Sequence, residues 1–123
     1  MGYVYFQNNP VGARVGDCAV RAISKALGMT WEEAYEELAT AGYQMADMPS
    51  SNNVIAAVLR KHGFYKESLP DCRGCYTIRN FADDNPRGVY VVGTGTHVVT
   101  VINGDFYDSW RSDNEPVMYY WSR

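Results

Sequence analysis

The stretch His97-Val98-Val99-Thr100-Val101-Ile102-Asn103-Gly104-Asp105-Phe106-Tyr107-Asp108-Ser109-Trp110 sets two β-branched and aromatic runs about the dipeptide Asn-Gly. Asn-Gly between such runs is the strongest short-range mark of a two-residue hairpin, because both turn positions need positive φ. With Asn103 and Gly104 as the turn the register follows: Ile102 faces Asp105, Val99 faces Asp108 and His97 faces Trp110. Asp108 then lies one diagonal step from His97, roughly 7–8 Å between backbones, a span that two such side chains close with a hydrogen bond. Trp110 alongside would shield that bond from water.

Working outward, "VYVVG" before the hairpin and "PVMYYW" after it are further apolar or aromatic runs bounded by glycine, asparagine and proline, so the second half predicts a small antiparallel sheet. "TIRNFADDNP" predicts a short helix stopped before Pro86. The first half has helical period. One helix is expected from about Cys18 to Leu27, with Asp17 as N-cap and Gly28 as stop. A second starts at Thr30, where "TWEE" forms a capping box, and ends near Gly42; its buried face is Trp31, Ala34, Tyr35 and Leu38. A third covers about Asn52 to His62 and ends at Gly63. Helices first and strands afterwards indicate an α+β fold, a helical layer against a sheet.

A chain of 123 residues fits a single domain, 1–123, long enough to bury one core. Its net charge of −3 comes from interspersed acids and bases, with no basic stripe to neutralise phosphates, so nucleic acid is not an expected partner. No apolar run reaches the roughly 20 residues that span a bilayer, and "MGYVYFQNNP" lacks a basic segment followed by an apolar one, so neither a membrane association nor a leader is expected and the cytoplasm is the expected location. Three cysteines are an odd number, which leaves at least one thiol free.

Cys18 is the thiol to explain. It follows "GD" at the start of the first helix, where unpaired N–H groups and the positive end of the helix dipole favour thiolate. Nucleophilic cysteine chemistry also needs an imidazole and a group to orient it. Of the two histidines, His62 in "RKHG" suits a helix C-terminus, whereas His97 comes with Asp108 in register. The Cys18 N–H is one oxyanion donor, and the segment Gln7-Asn8-Asn9 supplies side-chain amides for a second. Asn9, held extended before Pro10, is ranked first and Gln7 second. Asp17 is expected to cap the helix and pair with Arg21 one turn on. Cys72-x-x-Cys75 is half of a zinc motif with no second pair, so bare thiols or a labile disulfide rank above metal. No cofactor is implied.

A cysteine at the start of the first long helix, an upstream amide, a strand-borne histidine and an aspartate on the next strand together resemble the papain-like cysteine peptidase superfamily. The layout is most similar to compact bacterial members such as the bacteriocin-processing peptidase domains. "GDC" followed by "RAIS" also resembles the nucleophile motif of the ovarian-tumour-type deubiquitinases. The papain-like resemblance implies Cys18 as nucleophile, His97 as general base and acid, and Asp108 as the residue orienting it. It implies a hydrolase that cleaves a peptide, isopeptide or related amide bond in a peptide or protein substrate. A non-catalytic peptide-binding module on the same fold and an acyl transferase are the alternatives. The small size is of a bacterial or phage kind.

Overall fold

The computed structural model describes residues 2–69 and 75–123. Its elements run β1 (Gly2–Tyr5), α1 (Cys18–Leu27), α2 (Trp31–Met45), α3 (Asn52–Lys61), β2 (Tyr65–Ser68), α4 (Ile78–Asp84), β3 (Val89–Gly93), β4 (Val98–Ile102), β5 (Asp105–Asp108) and β6 (Tyr119–Ser122). The architecture is α+β, with four helices and one six-stranded sheet in the order β1-β5-β4-β3-β6-β2. No helix among the described residues is long and apolar enough to cross a membrane.

The expected sheet was antiparallel and confined to the second half; the observed sheet is mixed and reaches into the first. β1, from the chain start, pairs in parallel with β5, Gly2 opposite Asp105 through Tyr5 opposite Asp108. β2 adds an antiparallel edge on β6. Neither strand carries a local signal: a parallel partner about a hundred residues away leaves no mark in a four-residue segment, and all four residues of β2 are exposed, so no alternation is imposed on them. Between these edges the hairpin register is the expected one from Ile102 opposite Asp105 to Thr100 opposite Tyr107, where the β4–β5 pairing ends, short of the expected Val99–Asp108 and His97–Trp110 pairs. Asn103 and Gly104 take φ of 50° and 83°, as the tight turn requires.

Alternation along the central strands sends neighbouring residues to opposite faces, and both faces are covered. Val91, Val98 and Trp121 pack with Ile23, Leu38, Val54, Leu59 and Phe64 beneath α1, α2 and α3. Val92, Val99, Val101 and Phe106 pack with Ile78 and Phe81 of α4. α2 opens on the expected capping box, with Glu33 N–H donating to Thr30 Oγ1 and Thr30 N–H donating to Glu33 Oε1. It does not stop near Gly42, however. Gly42 is buried inside the helix, and a methyl there would lie 2.8 Å from the Asp47 carbonyl oxygen, so this glycine serves close packing of the following loop. Tyr35, expected on the buried face, is 48% exposed and stacks on Trp31.

α1 lies across β4, and one polar bond seats it: the buried Thr100 hydroxyl donates to the Ala22 carbonyl at 2.6 Å. Thr100→Val keeps the shape and removes the donor, so we expect a loss of about 1 kcal/mol, read as a lowered melting temperature with an unchanged fold. An unchanged melting temperature would show that packing alone fixes the helix on the sheet.

Candidate active site

Three elements meet at the open end of the β4–β5 hairpin, the end away from the Asn103-Gly104 turn. Cys18 is the first residue of α1, His97 immediately precedes β4, and Asp108 is the last residue of β5. The turn fixes the register, the register puts His97 and Asp108 together, and α1 crossing β4 brings the thiol to the ring. Asp108 Oδ2 lies 2.7 Å from His97 Nε2. With Nε2 engaged, Nδ1 is the ring nitrogen left for the sulfur, and the imidazole and thiol are hydrogen-bonded to each other. The Val98 backbone N–H also donates to the sulfur. Trp110, 45% exposed, tilts against the imidazole with ring centroids 5.1 Å apart.

Asp108 is fully buried and its carboxylate is saturated. Oδ1 accepts from Arg21 Nη2 at 3.2 Å and from the Ser109 N–H at 2.8 Å. Oδ2 accepts from Ser112 Oγ at 2.6 Å besides meeting His97. Burial raises its pKa, but the bonds from His97 and Ser112, the His97 charge and the Ser109 N–H outweigh that and hold it below the usual carboxylate value. The same balance acts on the other two groups. Burial depresses the His97 pKa, while the bonds and charges of Asp108 and Cys18 win and carry it up to about 9. Burial also raises the Cys18 pKa, and it is outweighed by the His97 bond, the Val98 N–H and the charges of His97 and Arg21, so the thiol titrates below its ordinary value. Opposed shifts of this kind stabilise a thiolate–imidazolium pair around neutral pH.

Asp17 makes the expected pair with Arg21 but not the expected cap. No side-chain capping bond forms, and the carboxylate instead takes Arg21 Nη1 on Oδ1 and Trp31 Nε1 on Oδ2, both at 2.9 Å. Arg21 therefore bridges two buried carboxylates, Asp17 and Asp108. Its pairing with Asp17 is visible as an i,i+4 spacing; the pairing with Asp108 is not, because 87 residues separate the partners. Ser112 was missed for a different reason, since a serine four residues past the aspartate, beyond the strand, carries no periodic signal.

The upstream amides are sorted by the strand that sequence reading overlooked. β1 runs on past Tyr5, with the Phe6 N–H on the Asp108 carbonyl at 2.8 Å, and so delivers Gln7 to the cleft. That cleft, about 850 Å³, is lined by Gln7, Gly16, Cys18, His97 and Trp110 among others. Gln7 Nε2 donates to the Ala13 carbonyl at 3.3 Å, which leaves a second amide hydrogen, while its Oε1 accepts the Asn9 N–H at 2.6 Å. Asn9, ranked first from sequence, does not line this cleft. Its Oδ1 accepts the N–H groups of Val11 and Ala13 and closes the turn after Pro10, and the residue borders a separate apolar groove. Of the two amides ranked from sequence, Gln7 shares the cleft with the thiol and Asn9 does not. Asn8 is tied away by its Nδ2 bond to Ser24 Oγ at 2.9 Å.

His62 caps α3 and bonds Glu37 at 2.9 Å, away from Cys18. Among the described residues no group of three His, Cys, Asp or Glu side chains converges to hold a metal ion. Cys75 is disulfide-bonded, and Cys72 lies outside the described residues. Comparison with protein-family models, with curated proteins and with solved structures gives no match.

Proposed function

We propose that the chain is a cysteine hydrolase on a papain-like variant of the α+β fold, cleaving a peptide, isopeptide or related amide bond through a Cys18 thioester. The observation that carries this reading is the Cys18–His97–Asp108 line: a free thiol at a helix start, bonded to an imidazole whose far nitrogen is held at 2.7 Å by a buried carboxylate, at the floor of an open cleft. The thiolate attacks the carbonyl carbon. The oxyanion so formed is met by the Cys18 N–H, which has no intrahelical partner at that position, and by the spare Gln7 amide hydrogen. The C–N bond breaks as His97 Nδ1 gives its proton to the leaving amine. His97 then takes a proton from water, the hydroxide adds to the thioester, and collapse releases a carboxylate and the Cys18 thiolate. No step calls for a cofactor. A peptide or protein is the expected substrate, and the cytoplasm is the compartment expected from the sequence.

Alkylation by iodoacetamide tests the reading without a substrate. Cys18 should react faster than glutathione mixed in the same tube at pH 6, where an ordinary thiol is almost wholly protonated. Matching the glutathione rate at pH 6 would remove the activated nucleophile and with it the hydrolase. For turnover the pH dependence has two limbs. Activity rises as pH passes the lowered pKa of Cys18, and falls as pH passes about 9, where His97 loses the proton that the leaving amine needs. A rate still climbing well above pH 9 would contradict the assignment of His97 as the acid.

A further inference from the structure

We infer that Arg21 is a positioning residue of this site: its guanidinium holds Oδ1 of Asp108 so that Oδ2 is presented to His97. The inference rests on the reading of Cys18 and His97 given above and deepens it. Arg21 stands three residues after Cys18, on the same side of α1 one turn further in, and its side chain is only 7% exposed. Burying a guanidinium is costly, and an apolar side chain would complete this helix face with less penalty. What the charge secures there is specific. The planar fork sends Nη1 to Asp17 Oδ1 at 2.9 Å and Nη2 to Asp108 Oδ1 at 3.2 Å, and Asp17 is itself fixed by Trp31 Nε1. Trp31 at the start of α2 thus anchors Asp17, Asp17 anchors Arg21, and Arg21 fixes the plane of the carboxylate that orients the imidazole. The Ser109 N–H and Ser112 Oγ also hold that carboxylate, but both are neutral. Arg21 is the cation that balances it when His97 is deprotonated, so the orientation survives both protonation states of the ring. The charged and titratable groups around the fork are Asp17 just before α1, Cys18 of α1, Asp108 of β5 and His97 before β4, with the Tyr3 hydroxyl of β1 on the Asp108 carbonyl.

Arg21→Lys and Arg21→Met separate orientation from charge. Lysine keeps a positive charge but cannot make the two-pronged contact; methionine loses both. The readouts are the pH profile of Cys18 alkylation and the proton resonance of His97 Nε2–H, which in the wild type should be downfield and slow to exchange because Asp108 holds it. In both variants we expect that resonance to broaden or vanish. Only in Arg21→Met should Cys18 alkylation at pH 6 also fall, by about fivefold, as a nearby cation is lost. If Arg21→Met fails to fold, Arg21→Lys decides alone. A His97 resonance and an alkylation profile like wild type in a folded variant, with only the melting temperature lowered, would show that Arg21 is structural and overturn the inference. Failure of the underlying reading looks different: wild-type Cys18 itself would alkylate no faster than glutathione, while the His97 resonance would still report what Arg21 does.

Discussion

Cys18→Ala should abolish turnover, by roughly three to six orders of magnitude, on any substrate the wild type cleaves, and leave the fold in place. The two halves of that expectation have different physical sources. Half-buried at the first position of α1, the sulfur borders the core formed by Ala19, Ala22 and Ile23, so its loss costs about 1 kcal/mol of packing at most. Its chemistry has no substitute in kind: Cys18 is the free cysteine of the described residues, and the Ser112 hydroxyl is committed to Asp108. Turnover at the wild-type rate in this variant would place the nucleophile elsewhere.

Asp108→Asn is the second large effect, and it is expected on rate more than on substrate binding. The amide preserves the outline of the side chain but removes the charge that stabilises imidazolium, so kcat should fall by about two to four orders of magnitude with KM little changed. A second signature follows from the sign of the His97 shift. Asp108 raises the His97 pKa to about 9 against the opposing effect of burial; without its charge that pKa falls, and the alkaline limb of the pH profile moves to lower pH. Stability falls as well, because Arg21 is left with Asp17 as its only anionic partner among the described residues. If the rate is lost while the alkaline limb stays where it was, Asp108 acts on the fold and not on the ring.

The parts of this arrangement that could be read from sequence are those set by neighbours along the chain. Asn103-Gly104 fixed the hairpin register, and with it the pairing of His97 and Asp108 across eleven residues, because a two-residue turn leaves no freedom to slip. The bounds of α1 were legible in Gly16-Asp17 at one end and in Gly28 at the other, the latter left-handed with φ of 66°. Hidden were the contacts that close over long stretches of chain. β1 has no local mark of its parallel partner, yet its course brings Gln7, ranked second, to the cleft that Cys18 lines, while Asn9 lies outside it. The Arg21–Asp108 pair was hidden for the same reason. The Asp17–Arg21 pair was legible from its i,i+4 spacing, but the expected side-chain cap does not form, because that arginine and an indole N–H from Trp31 take both carboxylate oxygens.

The central claim is that the Cys18 sulfur, activated by His97, attacks an acyl carbon and holds it as a thioester. Incubation with p-nitrophenyl acetate followed by peptide mass mapping tests this on a generic acyl donor. We expect one acetyl group per chain, on Cys18, released by hydroxylamine as a thioester is, absent from Cys18→Ala and formed much more slowly in Asp108→Asn. Folded wild-type protein that takes up no acetyl group on Cys18, or that carries it only on lysine or tyrosine side chains at the same rate in all three proteins, would contradict the claim.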